Sequence, residues 1–183
     1  MGTTSKVIAV LCRIGELVSS VIVLGLLGRF LYIVGEANAY ADSRIVYTTV
    51  VASISTFLSI ILFLPFTYSF LAFPLDLILF VLWLVAFCLL EALTGTHACS
   101  ANWYWSYWGF YWGSYWRTPV VVGGPADINW AGCSSWQAVL AWSFISSMLF
   151  LLSSCLGAYV VLKYREEKKS RGSAVMNSTR DNI

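Results

Sequence analysis

Four apolar runs, each long enough to cross a bilayer, decide what this chain can become. They are best taken as residues 14–34, 45–66, 75–93 and 135–162. A helix rises about 1.5 Å per residue, so about twenty apolar residues match a hydrocarbon core of roughly 30 Å. Inside lipid every backbone polar group must be satisfied within the protein, and helices do this segment by segment. The expectation is an all-α fold: an antiparallel four-helix transmembrane bundle within residues 1–165, followed by a basic, polar tail over 166–183 that is expected to lack structure. Composition argues the same way. Apolar residues make up 59% and charged residues 11% of the chain, where a soluble domain carries about 25% charged residues.

The runs carry helix-packing signals. Thr48, Ala52, Ser55 and Ser59 recur at helical spacing in the second run, as do Ser143, Ser147, Ser154 and Ala158 in the fourth. Small and hydroxyl side chains let membrane helices approach and hydrogen-bond. Pro65 reads as the end of the second span, and Thr67 to Pro74 as a tight connection. Pro74 suits a first helical turn, and Asp76 sits where the helix dipole favours a negative charge. The fourth run exceeds what a bilayer needs and is expected to tilt or project. A rival reading of the first run is a cleaved leader ending near Ala37-Asn38-Ala39, disfavoured by Arg13, Glu16 and Arg29 inside it.

Charge sets the orientation. Lys6, Arg13, Lys163, Arg165, Lys168, Lys169, Arg171 and Arg180 flank the two chain ends; only Arg44 and Arg117 fall in the two opposite loops. Eight against two places both termini in the cytosol. The large loop between spans three and four then lies outside. The sequon Asn177-Ser178-Thr179 falls on the cytosolic side and is expected to stay unmodified.

That outer loop, about forty residues long, has Cys99 near one end and Cys133 near the other. Outside the cytosol such a pair forms a disulfide, stabilising by about 3–4 kcal/mol through chain entropy. Between them runs a block in which ten of fourteen residues are aromatic. Trp103, Tyr104, Trp105, Tyr107, Trp108, Tyr111, Trp112, Tyr115 and Trp116 are its contact candidates. Their three- and four-residue steps fit a short helix in the headgroup layer, where Trp and Tyr prefer to lie. Gly109 and Gly113 weaken a helix, so an aromatic β-hairpin competes. The plain role is an interface anchor covering the helix ends. Contact with lipid or glycan, and contact with a partner protein, are the alternatives. Val120 to Pro125 reads as an extended piece and a turn.

The ionisable residues within the runs are Arg13, Glu16, Arg29, Asp76 and Glu91. Arg13 and Glu16 are three apart and share a helix face. Arg29 lies close enough to the outer surface to snorkel. All five are expected near span ends, where a charge costs little. Cys12, beside Arg13, is a juxtamembrane palmitoylation candidate. With one histidine, His97, and no Cys-x-x-Cys, no metal site is expected. No nucleophile elbow, phosphate loop or acid pair appears, so neither an enzyme nor a cofactor is expected. A net charge of +2, with the basic residues at the chain ends, gives no nucleic-acid surface.

Arg13 opening span one and Phe73-Pro74-Leu75-Asp76 opening span three join two further marks. These are Ala86 through His97-Ala98-Cys99, closing span three, and Cys133-Ser-Ser-Trp136-Gln137-Ala138, opening span four. Over residues 8 to 165 this arrangement resembles the four-span MARVEL-domain proteins, in particular the fungal MARVEL-like and non-classical export type. The resemblance implies membrane apposition, lateral organisation of plasma-membrane domains and vesicle traffic, its fungal members being associated with eisosome-type domains and sphingolipid response; sphingolipid or sterol is the lipid partner expected. The aromatic block is denser than that pattern. The function expected is a non-enzymatic organiser in the plasma membrane or a secretory-pathway membrane, contacting lipids, other membrane proteins or further copies of itself. The alternatives are a small transporter or export factor, and an assembly subunit using the aromatic loop for protein contacts.

Overall fold

The computed structural model describes residues 3–63, 73–94, 99–117 and 131–180. The helices are α1 (Thr3–Glu36), α2 (Ser43–Phe63), α3 (Phe73–Glu91), the single turn α4 (Phe110–Trp112) and α5 (Cys133–Arg180). Four of them contain stretches long and apolar enough to span: Val7–Glu36, Ser43–Leu62, Phe73–Glu91 and Cys133–Lys163. The stop at Pro65, the connection before Phe73, His97-Ala98 and the turn at Val120 to Pro125 lie outside the described residues.

Several boundaries differ from the sequence reading. α1 begins at Thr3, not near residue 14. Arg13 looked like an end marker, but its charge is met inside the bundle, so nothing stops the helix there. α5 runs on to Arg180 through residues 166–180, where an unstructured tail was expected. That stretch has Glu166, Glu167, Lys168 and Lys169 in succession, all good helix formers, with Glu166 three residues before Lys169 and Glu167 four before Arg171. α3 ends at Glu91, two residues before the expected boundary. Thr94 N–H turns back to the Glu91 carbonyl at 2.9 Å.

Three of the helix ends have a local cause. α1 ends in a left-handed residue, Asn38, with φ 51°. Ala39 N–H then reaches the Val34 carbonyl and Asn38 N–H the Gly35 carbonyl, both at 3.1 Å. This is the Schellman pattern that satisfies the last carbonyls of a helix. Asp42 caps α2, its Oδ1 accepting from Arg44 N–H at 2.9 Å. Pro74 occupies the first turn of α3.

The long helices pack in a ring: α1 on α2 and α5, α3 on α2 and α5. α1 and α3 therefore stand at opposite corners. Thr48, Ala52, Ser55 and Ser59 all turn inward, as do Ser143, Ser147 and Ser154; Ala158 is half-buried. Trp83 Nε1 donates to Ser55 Oγ at 2.9 Å, tying α3 to α2. Such interhelical bonds contribute about 0.6 kcal/mol on average in membrane bundles. Gly15 marks a close approach of α1 and α5, since a Cβ there would meet Leu149 Cδ1 at 3.0 Å. Leu27, Phe30, Trp83, Val139 and Phe150 fill the interior.

Candidate functional site

Two constructions stand out, one at each end of the bundle. The first is an aromatic cap at the end where α5 begins. The loop folds as a π-helical turn, Tyr104–Gly109, continued by α4 and then a 3-10 turn, Tyr115–Arg117. Helix rather than hairpin is thus the backbone of the aromatic block. Residues four apart fall on the same side of these helical turns. Trp103, Tyr107 and Tyr111 form one column, with ring centroids 5.4 and 5.3 Å apart. Trp108 and Trp112 stack beside it at 5.3 Å and 12°.

Two bundle residues plug into this cap from below. Phe30 of α1 stacks on Trp108 at 4.3 Å. Trp136 of α5 packs against Trp103 and Trp108 at 5.1 and 4.9 Å. Tyr104 and Trp108 are fully buried. Their polar ends go to backbone: Tyr104 hydroxyl donates to the Ala131 carbonyl at 2.6 Å, Trp108 Nε1 to the Gly132 carbonyl at 3.0 Å, and Trp105 Nε1 to the Cys99 carbonyl at 3.0 Å. Burial pushes the Tyr104 hydroxyl pKa up to about 12. Burial likewise raises that of Tyr107. Cys99 and Cys133 are bonded, their Cα atoms 5.9 Å apart. The bridge closes the cap onto the first turn of α5.

Asp42 is the hub that the sequence reading missed. Besides capping α2, it accepts from Trp103 Nε1 at 3.0 Å. Its backbone N–H donates to the Tyr107 hydroxyl at 2.9 Å, and that hydroxyl donates to the Tyr40 carbonyl at 2.8 Å. The α1–α2 loop is thereby docked onto the cap. The only sequence signal was an acid directly before a helix. At the rim, the Arg29 guanidinium lies 5.6 Å from the Trp112 ring, and that of Arg117 lies 4.8 Å from Trp116. Arg117 pairs with Glu36 at 2.7 Å. Trp116 and Tyr115 are half-buried in the 3-10 turn.

The second construction is a buried ionic cluster toward the other end. Arg13 meets Asp76 at two points, Nη1 to Oδ1 and Nη2 to Oδ2, both 2.7 Å. Arg13 Nη1 also reaches Glu16 Oε2 at 2.8 Å. The other Glu16 oxygen accepts from Ser153 of α5. Glu16 and Asp76 are 0% and 1% exposed. Asp76 lies in the first turn of α3, near a span end as expected, but it and Glu16 are buried and paired rather than held cheaply at a solvated edge. Because α1 starts at Thr3, Glu16 is well inside the helix and faces α3 and α5. The cluster gathers Arg13, Glu16 and Asp76 but not Arg29 or Glu91, which are exposed elsewhere. Cys12 is buried, so its sulfur belongs to the interior and not to a lipid-facing surface. Among the described residues no group of His, Cys, Asp or Glu has the makings of a metal site.

Apolar outer faces, a hydroxyl-lined interior, a buried ion pair and a disulfide-closed cap together define a multi-pass membrane protein. A family model supports that class and makes it specific. The chain belongs to the MARVEL family, described as a membrane-associating domain, which matches residues 6–156. No curated protein and no solved structure matches the chain.

Proposed function

We propose that this protein is a non-enzymatic membrane organiser in the plasma membrane or a secretory-pathway membrane. Both termini are cytosolic and the aromatic cap faces outward. The observation that carries this reading is that both ends of the bundle are committed to structure. Phe30, Trp108 and Trp136 fill the outer end, and Arg13 answers Asp76 and Glu16 toward the inner one. An interior so filled suits a scaffold that acts through its surface. The half-exposed indoles and phenols of the cap suit contact with a sphingolipid or sterol, because Trp and Tyr favour headgroup depth. The test is native mass spectrometry from a mild detergent, paired with solute leakage from vesicles holding the purified protein. Retained lipid and sealed vesicles support an organiser. Lipid-free protein in leaky vesicles overturns it.

A second reading, a small transporter or export factor, rests on one observation. Ionisable groups buried within a span mark functional sites by default, and Glu16 and Asp76 are such groups. It requires solute flux that Glu16→Gln abolishes while the protein remains folded.

A further inference from the structure

We propose that copies of this chain associate side by side in the bilayer, the exposed face of α1 in one copy docking on the exposed face of α3 in the next, with Arg29 paired to Glu91 across the contact. Three observations carry this.

First, both residues are exposed on spanning helices, and among the described residues neither has an ion-pair partner. Arg29 lies only against the Trp112 ring. A charge on a lipid-facing helix surface calls for a partner.

Second, the two charges lie at the same depth. Arg13 and Asp76 are in contact and so fix a common level. Both helices run in the same direction from it. Arg29 is sixteen residues beyond Arg13, and Glu91 is fifteen beyond Asp76. At the helical rise these distances are about 24 and about 22 Å. α1 and α3 stand at opposite corners of the ring, so their outward faces point apart. One chain cannot pair these charges internally, whereas two chains in lateral register can.

Third, the α1 face is shaped for close approach. A Cβ on Gly25 or Gly28 would meet nothing within 4 Å, so no packing inside the chain requires a glycine at either position. Small residues on membrane helices let a neighbouring backbone come near. The facing surface on α3 presents Val81, Val85 and Cys88 at helical steps leading to Glu91.

A contact between two different faces is heterologous. It closes into rings or extends into rows, and either gathers many copies in one patch of membrane. The proposal rests on the membrane reading above and adds the partner.

The experiment is energy transfer between donor- and acceptor-labelled copies of the full chain in phosphatidylcholine vesicles. Wild-type protein should show transfer that rises with the protein-to-lipid ratio. Arg29→Glu and Glu91→Arg should each weaken association by roughly threefold or more, since each loses one interhelical polar contact and sets like charges opposed. Mixing these two variants should restore it, because each then supplies the charge the other lacks. Gly25→Leu should lower transfer while thermal stability holds, since its side chain meets only open space within the chain. Transfer equal to wild type in both charge variants, or a mixture no better than its parts, would overturn the proposal. So would loss of a bound phospholipid from Arg29→Glu with transfer unchanged, which assigns Arg29 to a lipid phosphate. Inserted monomers would overturn self-association alone, whereas failure to insert would overturn the membrane reading.

Discussion

Arg13 and Asp76 sit sixty-three residues apart in the chain and share a two-point guanidinium–carboxylate contact. It crosses the bundle between helices that otherwise stand at opposite corners. Breaking one partner of a buried pair leaves an uncompensated charge, which costs about 3–5 kcal/mol. Asp76→Asn should therefore lower stability by that order. Glu16→Gln should cost less, because Glu16 accepts one bond from Arg13 Nη1 whereas Asp76 accepts from both Nη1 and Nη2. A triple variant, Arg13→Met with Glu16→Gln and Asp76→Leu, should lie closer to wild type than Asp76→Asn does. Thermal unfolding in detergent ranks the four proteins. An Asp76→Asn protein as stable as wild type would remove the cluster's structural role.

The Cys99–Cys133 bridge spans a sequence separation of 34. Chain entropy assigns a loop of that size about 4 kcal/mol. Reduction, or Cys99→Ala with Cys133→Ala, should loosen the aromatic cap before the spans. The expected signature is loss of near-ultraviolet circular dichroism from the stacked indoles, with the far-ultraviolet helical signal retained. Simultaneous loss of both signals would mean that cap and bundle unfold as one unit.

The sequence made the spans legible because hydropathy and helical period are local properties. The inward faces of α2 and α5 followed from the spacing of Thr48, Ala52, Ser55 and Ser59 and of Ser143, Ser147 and Ser154. The cysteine pair followed from its position at the ends of one loop. Contacts between distant segments were not legible. Pairing Arg13 with Glu16 needed only a three-residue step; adding Asp76 needed the order of helices around the ring. Asp42 read as one polar residue in a short loop, because its partners Trp103 and Tyr107 are more than sixty residues away. The burial of Glu16 was not legible because Ser153, which donates to it, comes from a helix far along the chain. The aromatic block left helix and hairpin open, since its period fits a helix while its glycines argue against one.

Gly132 carries a prediction about the cap's fit. Its φ is +73°, a backbone region where a side chain is strained. A Cβ there would also lie 2.6 Å from two atoms of the Trp112 indole. Its carbonyl accepts from both Trp108 Nε1 and Trp136 N–H. Gly132→Ala should cost about 1–3 kcal/mol through overpacking and should shift tryptophan fluorescence to the red as the indoles separate. An alanine variant with wild-type emission and stability would show that the Trp108–Trp112 stack tolerates displacement.

Tyr104 gives the cap a dependence on alkaline pH. Its ring is enclosed, and burial raises the hydroxyl from an ordinary value of 10.0 to about 12. At pH values below 10 the hydroxyl is protonated in folded and unfolded chains alike and has no effect on stability. Between 10 and about 12 the unfolded chain releases the proton and the folded chain keeps it. The unfolded state then binds fewer protons, so stability falls as pH rises, and the loss is complete once the folded state ionises too. Absorbance titration of tyrosinate in the folded protein should show Tyr104 among the last tyrosines to ionise. Tyr104→Phe should delete that late step and flatten part of the alkaline loss of stability, while giving up the hydrogen bond to the Ala131 carbonyl at every pH. A titration curve whose late portion is the same in the variant would mean that water reaches the Tyr104 hydroxyl, and that the cap does not seal the end of the bundle.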